Sequence, residues 1–255
     1  MMKMRKMWRR LSRVQHRTDG VSPAPTHLTT HAATHATTHV HPPLRGLYAI
    51  TQDEALTTHL VAQVAAVVAG GAVLVQYRNK SASRDLRRQQ IIALLPVCHA
   101  GGARLIVNDD IDLAVELNAD GAHLGRDDVH GRSLFAARET LGPQRILGVS
   151  CYNELSRAER AALAGADYLA VGSMFASSTK PAATRASLET LAETRRFNLP
   201  VAAIGGITLD NAPTLIAAGA DLLAVISDLF DAADIQQQAQ NYAALFTQQA
   251  GEIHS

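Results

Sequence analysis

The chain has 255 residues, 47% of them hydrophobic and 18% charged, which is an ordinary composition for a soluble globular protein. Its two cysteines are too few for a disulfide framework, and no apolar run approaches the roughly 20 residues of a membrane span. These features argue against a disulfide-rich secreted protein and a membrane-spanning protein, so we expect a reduced, cytoplasmic setting.

Charge divides the chain unevenly. Residues 1–46 hold eight of the 24 Lys/Arg but one of the 23 Asp/Glu, so the remainder carries 16 basic against 22 acidic residues. This mildly acidic body argues against a nucleic-acid-binding surface. Residues 1–45 are predicted to form a disordered tail, basic at first and then rich in Thr, Pro and His. Four of its histidines recur at intervals of four: His27, His31, His35 and His39. A metal-binding stripe is the alternative, although Thr and Pro disfavour the helix that it needs.

Residues 46–250 alternate short apolar runs with amphipathic stretches of helical spacing. Glycine just before several of the runs is typical of a helix end. Eight such units predict a single-domain α/β fold, a (β/α)8 TIM barrel, with a doubly wound sheet as the alternative. The eight predicted strands are residues 47–51, 73–77, 104–108, 121–124, 146–150, 168–171, 201–204 and 222–226.

Two acidic clusters follow strands three and four, at the end of a barrel that normally carries the active site. They are Asn108-Asp109-Asp110 and Arg126-Asp127-Asp128. Neighbouring strands lie about 4.8 Å apart, so carboxylates at their tips can share one Mg²⁺, which typically takes one or two carboxylates plus substrate phosphates. One Asp of each cluster is expected to cap the following helix, and by position these are Asp110 and Asp127.

Candidate anion-binding groups follow other strands. Arg78 and Lys80 come after strand two, and a hydroxyl-rich loop after strand six ends in Lys180. A Gly-Gly pair follows strand seven and a serine follows strand eight, where backbone N–H groups and a helix dipole favour a phosphate. The members of this second group are Gly205, Gly206 and Ser227. Two anion sites imply two phosphorylated ligands, or one ligand phosphorylated at both ends.

Two further residues at the strand ends are interpreted as structural. Cys151 follows strand five, but no histidine lies near it in sequence, so a packing role is favoured over a nucleophilic one. His123 lies inside a strand run and is also interpreted as structural rather than as an acid or base.

The ordered motifs of the body resemble the thiamine-phosphate synthase (thiamine-phosphate pyrophosphorylase) family. The resemblance covers nearly the whole body and none of the tail. It implies that hydroxymethylpyrimidine diphosphate condenses with a thiazole phosphate, carboxylated or not, to give thiamine phosphate and pyrophosphate. The matching segments are residues 47–51, 76–80, 107–109, 121–128, 148–150, 165–180, 204–207 and 225–227.

The resemblance also implies roles for individual residues. Asp109 and Asp128 would hold Mg²⁺, and the cations Arg78, Lys80 and Lys180 would be catalytic by neutralising the departing pyrophosphate. The implied substrate-binding residues are Gln76, Tyr77, Arg78, Asn79, Lys80, Asn108, Ser150, Ser177, Ser178, Thr179, Lys180, Gly205, Gly206, Ile226 and Ser227. Three of them depart from the family pattern without touching the metal or cationic set: Tyr77, Asn79 and Ser177.

The expected partners are small phosphorylated molecules, with no nucleic acid and no membrane, and homo-oligomerisation is left open. A thiazole tautomerase of the sister family is one alternative, and it would need a histidine as acid and base. A non-catalytic phosphate-binding barrel is another. The full set of aspartates and cations argues against both.

Overall fold

The computed structural model describes residues 44–125, 133–176 and 184–252. In this part of the chain, eight parallel strands close into a barrel in chain order, which confirms the predicted fold and excludes the doubly wound sheet. The strands are β1 (Gly46–Ile50), β2 (Ala72–Tyr77), β3 (Arg104–Asn108), β4 (Gly121–Leu124), β5 (Ile146–Tyr152), β6 (Tyr168–Gly172), β7 (Val201–Ile204) and β8 (Leu222–Val225).

Helices follow the strands and surround the barrel. They are α1 (Thr57–Ala69), α2 (Arg84–Ala100), α3 (Ile111–Glu116), α4 (Leu134–Leu141), α5 (Leu155–Leu163), α6 (Leu188–Thr194), α7 (Ala212–Ala217), α8 (Ser227–Phe230) and α9 (Ile235–Glu252), with a 3-10 turn at Arg195–Phe197. Serine side chains cap three of the helix starts: Ser83, Ser133 and Ser187.

Alternate residues of each strand face the barrel interior or the helices. Outward positions such as Leu47, Val75 and Leu105 pack against the helices in one large buried layer. Inward positions form a smaller cluster inside the barrel: Tyr48, Ile50, Leu74, Ile106, Ile146, Tyr168, Ala170, Ala202, Leu222 and Ala224. The side of the barrel on which a strand residue lies therefore follows from its place in this two-residue period.

The strands end close to where the pattern predicts. The largest difference is β5, which continues two residues beyond the predicted end. Its pairing with β6 shifts between Ser150 and Tyr152, and Tyr152 has a φ of 57°. Such an irregularity at the rim of a barrel redirects the side chains beside it.

The predicted tail lies outside the described residues up to position 43. Among the helices that the structure describes, none combines the length and the apolar character needed to cross a bilayer.

Arg138 joins two connections, α4–β5 and α5–β6, on the amino-terminal side of the barrel. Its guanidinium donates to the carbonyl oxygens of Gly142, Arg145 and Gly165 at 2.7–3.0 Å, and to Asp167 at 2.5 Å.

Because the partly buried guanidinium of Arg138 donates to four acceptors, we expect Arg138→Met to lower the free energy of unfolding by about 2–3 kcal/mol. Urea denaturation checks this. The control is Arg84→Met, which removes an exposed arginine paired to Glu116 and should change stability by less than about 1 kcal/mol.

Candidate functional site

Two adjoining cavities open at the carboxyl ends of the strands. The first, of about 170 Å³, lies in the mouth of the barrel, and the second, of about 540 Å³, lies beside it over β7 and β8. Gly205, Ala224 and Ile226 line both cavities. Polar residues from β2, β3, β4 and β5 line the first cavity, at the end of the barrel where they were expected.

The end of β2 aims Arg78 into the first cavity. The hydroxyl of Thr51 accepts from the Arg78 amide nitrogen at 2.9 Å and donates to the Arg78 carbonyl oxygen at 3.0 Å. Thr51 is fully buried, so this paired contact fixes the backbone that carries the guanidinium. The parity of β2 places Gln76 inward, and both residues line the cavity.

Asp53 braces the loop that follows. Its carboxylate accepts from the backbone nitrogens of Lys80 and Ser81, both at 3.1 Å, and from Nη1 of Arg78 at 3.3 Å. One carboxylate thereby holds the loop in the form that presents two cations to the same cavity. The geometry brings Arg78 and Lys80 together, as the sequence predicted.

Asp109 directly follows β3 and turns toward these cations. Its φ of 64° is unusual for a residue other than glycine, and such a conformation costs on the order of 1 kcal/mol. Its backbone nitrogen donates to the His123 carbonyl oxygen at 2.9 Å. Its Oδ2 lies 3.2 Å from Nζ of Lys80 and accepts from Nδ2 of Asn108 at 2.5 Å. The carboxylate therefore faces the first cavity between a cation and an amide.

Asp110 has the structural role predicted for it. Its side chain accepts from the Leu113 nitrogen at 2.9 Å as the N-cap of α3, and Nη1 of Arg87 lies 3.3 Å from its other oxygen. The side chain of Asp109 therefore faces the cavity, whereas the side chain of Asp110 caps the helix. Asp127 and Asp128, the corresponding pair after β4, lie outside the described residues.

Two side chains of the first cavity offer oxygen atoms that could bind a hard divalent cation. Asp109 offers a carboxylate and Asn108 an amide oxygen, and oxygen donors of this kind are those that Mg²⁺ prefers. In the described ranges no three His, Cys, Asp or Glu side chains gather into a complete metal cage. A single carboxylate directly after β3 therefore fits a metal whose other ligands are mostly oxygen atoms of water or phosphate.

A buried chain of polar side chains lies under the first cavity. Nε2 of Gln76 donates to the Tyr48 hydroxyl at 2.5 Å, and that hydroxyl lies 2.6 Å from the hydroxyl of Tyr168. The Tyr168 hydroxyl lies 2.8 Å from Nδ1 of His123, whose Nε2 lies 2.8 Å from Oγ of Ser150. The two ends of this chain, Gln76 and Ser150, both line the cavity.

Sequence reasoning missed the middle of this chain. His123 was interpreted as structural because it lies within a strand, and both of its ring nitrogens do lie at hydrogen-bond distance from protein hydroxyls, but the residue also lines the cavity. The signal was present, since Ala122 and Leu124 belong to the outer layer and the residue between them must face inward. The same parity argument identifies Tyr48 and Tyr168 as inward residues.

Tyr77 and Asn79 lie behind the wall of the cavity rather than in it. The Tyr77 hydroxyl donates to Oε1 of Gln90 at 2.7 Å, in the layer between β2 and α2. Nδ2 of Asn79 donates to the same oxygen at 3.1 Å and to the Glu54 carbonyl oxygen at 2.7 Å. The two-residue period explains the outward direction of Tyr77, and neither Tyr77 nor Asn79 lines either cavity.

The turn after β7 forms the wall between the two cavities. Gly205 and Gly206 have φ values of 101° and 63°, which favour glycine. A Cβ on Gly205 would lie 2.1 Å from Oγ of Ser173, and one on Gly206 would lie 2.3 Å from the Ala176 carbonyl oxygen. Gly205, Gly206 and Ser227, which the sequence grouped as a second candidate anion site, all line the second cavity.

Arg157 is a buried cation that sequence reasoning did not single out. From α5, its Nε donates to the Ser150 carbonyl oxygen at 2.6 Å and its Nη2 to the Gly125 carbonyl oxygen at 2.7 Å. It therefore joins the end of β5 to the residue at which the loop after β4 begins. A helical arginine of this kind gives no motif, which is why the sequence alone did not mark it.

Cys151 faces the helices, as its interpretation as a packing residue requires. It is 1% exposed, and burial raises the pKa of its thiol to about 12, as it does for Cys98. At pH 8 the thiolate fraction would be on the order of one in ten thousand, so both thiols should resist a thiol reagent in the native protein and react on unfolding in urea. Rapid native labelling of Cys151 would contradict its packing role.

The remaining predicted site residues lie outside the part of the chain that the structure describes. Ser177, Ser178, Thr179 and Lys180 belong to the loop after β6, and this loop lies outside the described residues from position 177 to 183. The described residues on either side of it, Ala176 and Thr184, mark the two points between which the loop runs.

Comparison with known proteins gives consistent matches to one family. The model of a family described as thiamine monophosphate synthase matches residues 47–229. Thiamine-phosphate synthase of Methylobacillus flagellatus is 52% identical over 205 residues, covering 80% of this chain and 97% of the relative. Its counterpart from Azoarcus is 54% identical over 204 residues, covering 80% and 98%.

Solved structures show the same relationship. Thiamine phosphate pyrophosphorylase from Pyrococcus furiosus superimposes with a TM-score of 0.70 at 32% identity, covering 80% of this chain and 96% of that one. 3-Hexulose-6-phosphate synthase from Salmonella typhimurium superimposes with a TM-score of 0.60 at 17% identity, a likeness of fold alone.

Proposed function

The chain belongs to the thiamine monophosphate synthase family, and on that premise we propose that it condenses hydroxymethylpyrimidine diphosphate with a thiazole phosphate to form thiamine phosphate and pyrophosphate. The observation that carries the proposal is the pair of adjoining cavities, one presenting Arg78, Lys80 and Asp109 and the other lined by Gly206 and Ser227. Two phosphorylated substrates need two such sites with a shared wall.

The first cavity would hold the pyrimidine diphosphate. Gln76, Asn108 and Ser150 would position the ring, while Arg78 and Lys80, joined by Lys180, would pair with the diphosphate. Charge on the leaving pyrophosphate grows as its bond to the pyrimidine methylene carbon breaks. Cations that are already in place stabilise that charge without reorganising, which is the main source of rate in such a site.

The second cavity would hold the thiazole phosphate. Gly205, Gly206, Ile226 and Ser227 would bind its phosphate through backbone N–H groups and a hydroxyl. The hydroxyl-bearing residues of the loop after β6, Ser177, Ser178 and Thr179, would contact the thiazole. The thiazole nitrogen then attacks the methylene carbon, which loses pyrophosphate and gains the C–N bond. No protein nucleophile is required, and positioning of the two substrates supplies much of the acceleration.

Magnesium is part of the proposal. Asp109, with Asp128, would hold it beside the diphosphate, where a bound divalent cation neutralises the phosphate oxygens and makes pyrophosphate a better leaving group. The orientation of the Asp109 carboxylate into the cavity and its oxygen donors support this assignment.

A thiazole tautomerase is not favoured. That reaction needs an imidazole that exchanges protons with its substrate, whereas both ring nitrogens of His123 lie at hydrogen-bond distance from protein hydroxyls. The curated relatives reported above also carry the name of the synthase.

The direct test is pyrophosphate release by the full-length protein with both substrates and Mg²⁺, followed by mass-spectrometric detection of thiamine phosphate. We expect release only when both substrates are present, with each substrate alone as the control. No release from protein whose circular dichroism spectrum and cooperative unfolding show that it is folded would overturn the proposal.

A further inference from the structure

The polar chain beneath the first cavity is unusual for the interior of a barrel. Tyr48 and Tyr168 are 1% and 0% exposed, and they pack among aliphatic side chains such as Leu74, Ile106 and Ile146. Buried hydroxyls cost free energy unless they are hydrogen-bonded, and a phenylalanine would fill the same space without that cost. The chain therefore needs an explanation beyond packing.

Tyr168 has the central place in this chain. Its ring packs edge-on against Tyr48 and stacks on His123, with centroids 5.6 Å apart in both pairs. A Cβ on Gly148 would lie 2.2 Å from the Tyr168 hydroxyl, so the glycine of β5 leaves the space that the phenol occupies. Burial raises the pKa of both tyrosine hydroxyls well above their ordinary value, so both keep their protons at neutral pH.

The number of protons available for hydrogen bonding means that all bonds in the chain must donate in the same direction. Each hydroxyl has one proton, and a neutral imidazole has one N–H. If the Gln76 amide nitrogen donates to Tyr48, then Tyr48 donates to Tyr168 and Tyr168 to Nδ1 of His123, whose Nε2 donates to Ser150. Gln76 then offers its carbonyl oxygen to the cavity and Ser150 offers its proton. If the Gln76 amide rotates by about 180°, the direction of every hydrogen bond in the chain reverses. Gln76 then presents a donor to the cavity and Ser150 presents an acceptor.

We propose that Tyr168 is a positioning residue that couples Gln76 to Ser150. When one of these two groups presents a hydrogen-bond donor to the pyrimidine, the other therefore presents an acceptor. The inference rests on the proposed function, because it concerns the ring bound in the first cavity. An aminopyrimidine carries N–H donors on its exocyclic amine and acceptors at its ring nitrogens. One polarity of the chain, with an acceptor at Gln76 and a donor at Ser150, is complementary to that ring.

The test uses the full-length protein and steady-state kinetics in both substrates. Tyr168→Phe keeps the ring and removes the linking oxygen. We expect it to raise KM for the pyrimidine diphosphate about tenfold and to leave KM for the thiazole phosphate within about twofold. The control is Thr194→Val, which removes a buried hydroxyl bonded within α6 and should change neither KM.

A double-variant cycle separates coupling from ordinary destabilisation. Ser150→Ala should raise the same KM, and the double variant Ser150→Ala/Tyr168→Phe should be no worse than the larger single effect, since both break one chain. Tyr48→Phe, which interrupts the chain at the neighbouring link, should reproduce the result and serves if Tyr168→Phe folds poorly.

Several results would overturn the inference. Multiplicative effects in the double variant, equal changes in both KM values, or lower stability with unchanged kinetics would each assign Tyr168 a merely structural role. Wild-type protein that forms no thiamine phosphate would instead refute the proposed function, and the two failures are therefore distinguishable.

Discussion

Replacing Asp109 with asparagine should lower kcat for pyrophosphate release by about 10³-fold, the largest effect that we expect of any single substitution in this barrel. The change keeps the size of the side chain and an oxygen, but it removes the negative charge that faces Lys80 at 3.2 Å and would hold Mg²⁺. A second readout does not need turnover: calorimetric binding of pyrophosphate should depend on Mg²⁺ in the wild type and lose most of that dependence in the variant.

The neighbouring aspartate provides a matched control. Asp110→Ser removes the same charge one residue away while its hydroxyl can still cap α3. We expect turnover within about threefold of wild type, because a capping side chain acts on stability rather than on the substrate. Equal losses in the two variants would contradict the division of this pair into a metal ligand and a cap.

Local patterns predicted the strands and the charged residues that line the first cavity, Arg78, Lys80 and Asp109. The period of two in β2 places Gln76 inward, and the residues directly after β2 and β3 reach the catalytic face because parallel strands end together there. The capping role of Asp110 also followed from its position before a helix. These properties depend on neighbours in sequence, which is why a single sequence was sufficient.

Contacts between distant residues were not predictable in the same way. The hydroxyls of Tyr48 and Tyr168 meet across 120 positions, and His123 reaches Tyr168 across 45. Arg157 reaches backbone carbonyl groups, which carry no sequence signature at all. Strand parity could have identified the inward side chains, but only closure of the barrel brings them within hydrogen-bond distance.

The second large effect is expected at Arg78. Its guanidinium lines the first cavity, and Asp53 and Thr51 hold the surrounding loop so that the cation is in place before the substrate arrives. A donor fixed in this way stabilises developing negative charge without reorganisation, and removing one such group typically costs 10²–10³-fold in kcat, or roughly 3–4 kcal/mol. We therefore expect Arg78→Ala to lower kcat for pyrophosphate release by about that factor.

Two further variants show whether charge or geometry matters at Arg78. Arg78→Lys keeps the charge but loses the planar fork that binds two phosphate oxygens at once, so it should recover only part of the lost rate. Arg84→Ala removes an arginine whose side chain is 59% exposed and pairs with Glu116, and the kcat of this variant should match the wild type.

If lysine at position 78 restored full activity, the cation would act as a simple point charge, and the contacts of Asp53 and Thr51 with this loop would have no catalytic purpose. If Arg78→Ala were as active as Arg84→Ala, other groups would have to stabilise the charge on the leaving pyrophosphate, and the assignment of the first cavity to the diphosphate would be wrong.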